Sequence, residues 1–119
     1  MPDFPQHSAA PVPIVAIALF GMKTIALDGY VIDVLMPDLV GHDKKPASFL
    51  VLLYLLRVAQ QKQSADFEVS LQTIAVKTGL AKSTVQAALR HLKRRGLIDP
   101  AVVATTGHPV RRVLRPWNA

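Results

Sequence analysis

The alternation of apolar and polar positions is most regular in residues 69–98, where it predicts two short helices joined by a tight turn. The first helix has one apolar face, formed at helical spacing by Leu71, Ile74, Ala75 and Thr78. Gly79 follows, and glycine most readily takes the positive φ needed where a helix ends and the chain bends. These residues therefore predict a pair of helices with a sharp bend between them.

The second helix of the pair is predicted over residues 83–95 and has two contrasting faces. Ser83 is expected to be its N-cap, because a serine hydroxyl can accept a hydrogen bond from an unpaired N–H of the first turn. Gly96 is expected to end it at the C′ position. One face is an apolar stripe of Val85, Ala88, Leu89 and Leu92. The opposite face has no carboxylate and carries Thr84, Gln86, Ala87, Arg90, Lys93 and Arg94.

The N-terminal part of the chain gives weaker patterns. Asp28-Gly29 stands between two short apolar runs, which predicts a β-hairpin over residues 24–32 with a two-residue turn. Pro37 and residues 38–45 are expected to form a loop. Residues 14–20 (IVAIALF) could be a buried strand or a short helix.

A longer helix is predicted to begin at Pro46, a first-turn position that tolerates proline, and to run for about fifteen residues to roughly Gln61. Its middle, FLVLLYLL, is apolar on nearly every side, so it needs cover on two faces. The helix pair can cover only one of them. The other must meet the N-terminal segment, a second subunit or both, and we expect a homodimer.

Two short strands are predicted after Gly96. Residues 97–105 and 110–115 would pair as a hairpin whose tip, 106–109, contains glycine and proline. Side chains alternate along a strand, so Arg111 and Arg112 would point to opposite faces, and at least one of them could reach a bound partner.

The stretch LQTIAVKTGLAKSTVQAALRHLKRRGLI, followed by VRRVLRPW, resembles the winged helix-turn-helix regulators of bacteria and archaea over about residues 71–117. The resemblance implies a mainly α fold with a small β component, in which a three-helix core carries a β-hairpin wing. We expect the winged helix-turn-helix domain at residues 45–119. A flexible tail would occupy 1–13, and an N-terminal extension that could be a β-hairpin would occupy 14–44.

The resemblance also implies sequence-specific binding of double-stranded DNA. The second helix of the pair would be the recognition helix in the major groove, and the wing, 97–115, would contact the backbone or the minor groove. The DNA-binding residues expected from chemistry and resemblance together are Lys82, Ser83, Thr84, Gln86, Arg90, Lys93, Arg94, Arg111 and Arg112. Gln86 and Arg90 lie four apart, and each can make two hydrogen bonds to one base edge.

The charge distribution supports an anionic partner. Residues 69–119 hold nine lysines and arginines against the single acid Asp99, whereas residues 1–68 hold five against seven acids. The net charge of +6 is therefore concentrated in the half with the helix pair. Basic residues such as Lys93 and Arg94 near a helix C-terminus could also serve only to compensate the helix dipole.

Two other functions remain open at the level of sequence. The DNA-binding domain of a phage or plasmid replication protein could use a similar module. A winged-helix protein-interaction module could carry an incidentally basic face. We expect a transcriptional regulator, and the sequence indicates no particular small-molecule effector.

Enzymatic chemistry finds no support in the sequence. The chain has no cysteine, and its histidines are far apart without the spacing of a metal site. No phosphate loop, catalytic triad or cofactor motif is visible, so we expect no enzyme, no metal and no cofactor. The N-terminus lacks a basic leader, and the apolar runs are too short to span a bilayer, which predicts a cytoplasmic protein without membrane contact.

Overall fold

The computed structural model describes residues 24–99 and 109–118. Within these ranges the chain is mainly helical, with one small antiparallel sheet. The predictions for the tail 1–13, the apolar run 14–20 and the wing residues 100–108 lie outside the described residues.

The helices are α1 (Pro46–Lys62), α2 (Leu71–Thr78) and α3 (Lys82–Arg94). The strands are β1 (Asp66–Glu68) and β2 (Val110–Arg112). Two π-helical stretches, Val31–Leu35 and Pro37–His42, precede α1, and a short 3₁₀-helix, Pro116–Asn118, follows β2. This arrangement confirms the predicted class, a mainly α fold with a small β component compatible with a winged helix-turn-helix.

The β-hairpin predicted over residues 24–32 is wrong, because the chain turns helical at Gly29. The amide of Val31 donates to the carbonyl of Asp28 at 3.0 Å, which starts a helical turn where the hairpin bend was expected. Val31, Leu35 and Leu39 are all buried and lie four residues apart. That spacing puts them on one helical face, and packing of this face on α1 outweighs the local hairpin signal of Asp28-Gly29.

The loop predicted over residues 38–45 is also mostly helical. Pro37 begins the second π-helical stretch directly after Met36, which is itself helical. The amide of Asp43 donates to the carbonyl of Asp38 at 2.8 Å, so Gly41 does not interrupt the turn. Only residues 43–45 form the loop, and Lys44 takes a left-handed φ of 56° there. Residues 29–42 are called the N-terminal helical segment below.

Helix α1 is the centre of the core, and its predicted start at Pro46 is confirmed. The N-terminal helical segment, α2 and α3 all pack against it. Of the run FLVLLYLL only Leu50 is exposed, at 45%. No helix among the described residues has the length and apolar character needed to cross a membrane.

The helix pair forms as predicted in its first half. The hydroxyl of Ser70 accepts a hydrogen bond from the amide of Thr73 at 3.1 Å and so caps α2. Gly79 ends the helix with a φ of 79°. Leu80 packs, partly buried, against the core at the bend.

The N-cap predicted for the second helix is wrong by two residues. Ala81 is the capping residue, with extended backbone and no side-chain cap, and the amide of Val85 donates to its carbonyl at 3.0 Å. Helix α3 therefore spans Lys82–Arg94 rather than 83–95, and Ser83 lies in its first turn. The hydroxyl of Ser83 is exposed and bonds to no residue that the structure describes.

The end of α3 is a Schellman motif centred on Gly96, whose φ is 74°. The amide of Leu97 donates to the carbonyl of Leu92 at 3.0 Å, and the amide of Gly96 donates to the carbonyl of Lys93 at 3.1 Å. The bend directs Leu97 and Ile98 back into the core, where both are buried.

The sheet joins the predicted wing to the strand before α2. Strand β2 pairs antiparallel with β1 in the register Phe67↔Arg111, and an isolated bridge links Ile98 to Val113. The strand partner β1 was not predicted for the wing. Because Phe67, Ile98 and Val113 are buried, the base of the wing is part of the hydrophobic core.

Candidate nucleic-acid interface

Helix α3 separates its two faces as the sequence predicts. The inward face contributes Val85, Ala88, Leu89 and Leu92 to the core. The outward face contains seven of the nine predicted DNA-binding residues, which are Lys82, Ser83, Thr84, Gln86, Arg90, Lys93 and Arg94. All seven are exposed except Thr84, which is partly buried.

The cationic and amide side chains of this face bond to no other described residue. Within residues 24–99 and 109–118, no hydrogen bond or ion pair engages the side chain of Lys82, Gln86, Arg90, Lys93 or Arg94. No carboxylate lies on α3 to neutralise them. The face therefore offers hydrogen-bond donors and positive charge to an external anionic partner.

The two wing arginines are engaged with the protein. The Nε of Arg111 donates to the carbonyl of Val69 at 3.0 Å, and burial lowers the pKa of its guanidinium. Arg112 forms two hydrogen bonds with Asp66, at 2.5 and 2.8 Å, and one with Asp99 at 3.2 Å. Pairing with Asp66 raises the pKa of Arg112 and lowers that of the carboxylate. Both arginines thus hold the base of the wing to its neighbours, and the structure does not bring them onto the α3 face.

A buried polar network, which the sequence reasoning missed, fixes the inward face of α3. His91 bonds through Nδ1 to the hydroxyl of Ser48 and through Nε2 to a carboxylate oxygen of Asp43, both at 2.8 Å. A carboxylate only accepts, so Nε2–H is the donor, and in a neutral ring Nδ1 accepts from Ser48. The sequence signal was a histidine placed beside Leu92 on the apolar side of a helix.

Arg95 extends this network to the N-terminal helical segment. Its guanidinium pairs with Asp38 and lies 3.3 Å from a carboxylate oxygen of Asp43. Asp43 also accepts from Nδ1 of His42 at 2.8 Å. The side chains of His91 and Asp43 are only 9% and 13% exposed, so water screens their contact weakly. The network therefore sets the position of α3 relative to α1 and to the N-terminal helical segment.

Serine, histidine and aspartate in contact also occur in hydrolytic triads, but the geometry here favours a structural role. Ser48 is 1% exposed and lies in the first turn of α1, which leaves a substrate no access to its hydroxyl. Asp38, His42 and Asp43 could also bring metal-binding atoms within 4.8 Å of one another. The guanidinium of Arg95 already supplies positive charge to both carboxylates.

Residues 42–98 match a family model described as a helix-turn-helix domain. No curated protein and no solved structure matches the chain. The matched range begins at His42, includes α1, β1, α2 and α3, and ends at Ile98. The match confirms the resemblance found in the sequence and indicates DNA binding.

Acid should weaken the fold partly through Asp43. The hydrogen bond from His42, followed by that from His91, lowers the pKa of this carboxyl in the folded state. Its contribution is complete above the unfolded pKa of about 3.9 and is lost as pH falls through the lower folded value. We expect Asp43→Asn to reduce the free energy of unfolding at pH 7 and to flatten its decline between about pH 5 and pH 2. Urea titrations across this range measure both effects.

A matched control is Asp33→Asn, in the same segment. Asp33 is exposed and pairs with no other residue in the described part of the chain. The Asp33→Asn variant should show the same dependence of unfolding free energy on pH as the wild type. Identical profiles for Asp43→Asn and the wild type would show that the network does not stabilise the fold.

Proposed function

We propose that the protein binds double-stranded DNA sequence-specifically as a cytoplasmic transcriptional regulator, from the premise that residues 42–98 match the model of a helix-turn-helix domain. The observation that carries the proposal is the outward face of α3. It combines donors, positive charge and charged side chains that pair with no described residue, on a helix that the core holds in place. The major groove of B-DNA accepts a helix of this kind.

In this proposal the outward face of α3 divides into two regions. Gln86 and Arg90 are one turn apart on the exposed side and read base edges through paired hydrogen bonds. Ser83 and Thr84, in the first turn, approach bases or the adjoining phosphates. Lys93 and Arg94, in the last turn, contact phosphates and fix the register of the helix in the groove.

Arg111 and Arg112 keep a place in the proposed interface as positioning residues. Their contacts with Val69, Asp66 and Asp99 hold the base of the wing. Arg112 remains 45% exposed although it pairs with both carboxylates. Removing either one should disturb the wing before it removes a DNA contact.

The DNA-binding domain of a replication protein would use the same face of α3. The sites recovered from genomic DNA separate the two roles, since promoters support regulation and replication origins support initiation. A protein-interaction module would bind duplex DNA weakly or not at all.

Salt dependence tests the electrostatic part of the proposal. If about six phosphates are contacted per subunit, the logarithm of the affinity should fall with the logarithm of salt concentration at a slope of roughly −5. Fluorescence anisotropy with a labelled duplex at several salt concentrations measures the slope. A flat response, or no binding at low salt, contradicts DNA binding.

Base reading is tested by Gln86→Ala and Arg90→Ala. Each should cost ~1–3 kcal/mol at one base position and relax the preference there. Lys93→Ala is the control on the same helix, and it should weaken binding to all sequences alike. Selection from a random duplex library measures the preferred site, and an unchanged site for both variants excludes the base-reading role.

We also propose that the protein acts as a homodimer, now through the N-terminal helical segment and the residues before it. Of the eight large hydrophobic side chains exposed among the described residues, six lie between positions 25 and 40, namely Ile25, Tyr30, Ile32, Val34, Met36 and Val40. These six side chains are clustered along the sequence, and exposed apolar surface often marks a protein contact. A second copy is the occupant that also serves the function, because two α3 helices can then reach half-sites about one helical turn apart.

Met36→Glu tests this assembly. It places a charge in the cluster and should convert a dimer into a monomer of 13.0 kDa, as measured by light scattering over a dilution series. Val76→Glu is the control, because Val76 is exposed on α2, outside the cluster. A wild type that stays at the monomer mass at every concentration rules out the homodimer.

A further inference from the structure

Two lysines outside the recognition helix lie beside its first two turns. Lys44 and Lys45, in the loop before α1, line an open depression of about 330 Å³ together with Pro46, Ala47 and Ser48. The opposite wall is formed by α3 through Ser83, Thr84, Ala87 and Ala88. The depression therefore shares Ser83 and Thr84 with the proposed DNA-reading face.

The chemistry of this depression suits an anion on an extended chain. Both lysines are exposed, and neither side chain forms an ion pair with any residue that the structure describes. The α3 wall presents two hydroxyls and the methyl groups of two alanines. These side chains are short, so a sugar-phosphate backbone has room to approach. The described lining contains no carboxylate to repel a phosphate.

The loop holds the lysines in a fixed conformation. Lys44 has a left-handed φ of 56°, which is uncommon for a residue with a side chain and costs energy that glycine would avoid. The amide of Lys45 donates to the carbonyl of Leu39 at 2.8 Å, and its carbonyl accepts from the amide of Ser48 at 3.0 Å. The backbone that carries both side chains is thus anchored by hydrogen bonds on both sides. This lowers the conformational entropy that the loop loses when it binds a ligand.

We infer that Lys44 and Lys45 form a second phosphate-contact point, which holds the DNA strand at the edge of the major groove entered by α3. The inference rests on the proposed function and adds a clamp on the α1 side of the recognition helix. A strand seated there would be contacted from two elements, by the lysines of the loop and by the hydroxyls of α3. Such contacts fix register and carry no sequence preference.

The test measures the salt slope of Lys44→Ala and Lys45→Ala beside the wild type. Each variant should reduce the magnitude of the slope by about 0.9 and weaken binding by up to roughly tenfold at 0.1 M salt, equally for all sequences. Lys62→Ala is the control, because Lys62 is an exposed lysine in the last turn of α1. It should leave slope and affinity unchanged. Urea unfolding of all variants shows whether the fold is retained.

A neutral phosphate locates the contact. A duplex with one methylphosphonate, moved step by step along each strand, should lose affinity for the wild type at the clamped phosphate. At that same position Lys45→Ala should show little further loss, because the charge pair is already broken.

The outcomes are distinguishable. A wild type with a steep salt slope and lysine variants with the same slope overturn the clamp and leave the proposed function standing. A wild type without salt-sensitive binding overturns both. A changed sequence preference in either lysine variant would assign these residues to base contact and overturn the phosphate role.

Discussion

The burial of α1 is the constraint on which the rest of the structure depends. The apolar middle of α1 must be covered, and burying one large aliphatic side chain is worth about 1.5–3 kcal/mol. Leu52 and Leu55 are fully buried in a core to which several elements contribute. The N-terminal helical segment supplies Val31, Leu35 and Leu39, and α2 and α3 supply the remaining cover. The position of α3, and hence of its outward face, follows from this enclosure.

Polar contacts then select one orientation among those that apolar packing would allow. Hydrophobic contact has little directional preference, whereas the hydrogen bonds of His91 with Ser48 and Asp43 have a defined geometry. The three residues come from α3, α1 and the loop between α1 and the N-terminal helical segment. A rotation of α3 about its axis would leave these buried polar groups without partners, which is costly. The same helix therefore combines a fixed inner face with an unpaired outer one.

The helix pair could be predicted because its signals are local. Gly79 and Gly96 each mark a helix end through their own backbone chemistry, and the structure places both as expected. The N-terminal segment could not, because its conformation depends on α1, far along the chain. Asp28-Gly29 is a local hairpin signal, yet the burial of Leu35 and Leu39 in the core decides the outcome. The cap predicted at Ser83 was wrong, because Ala81 takes the extended backbone conformation of the N-cap two residues earlier.

The candidate site was predictable to the extent that it lies on one helix. The exposed face of α3 follows from helical periodicity, but Arg112 could not be recognised as a paired residue before β1 was known to bring Asp66 beside it. Lys44 and Lys45 were missed because they belong to the half of the chain with more acids than bases.

The range that matches the family model is shorter than the part of this chain that closes the core. The matched range begins at His42, so it leaves out Val31, Leu35 and Leu39, three residues that close one side of the core. It ends at Ile98 and leaves out Val113, the bridge partner of that residue. A fragment trimmed to residues 42–98 would lack both of these covers, so apolar side chains of the core would meet water.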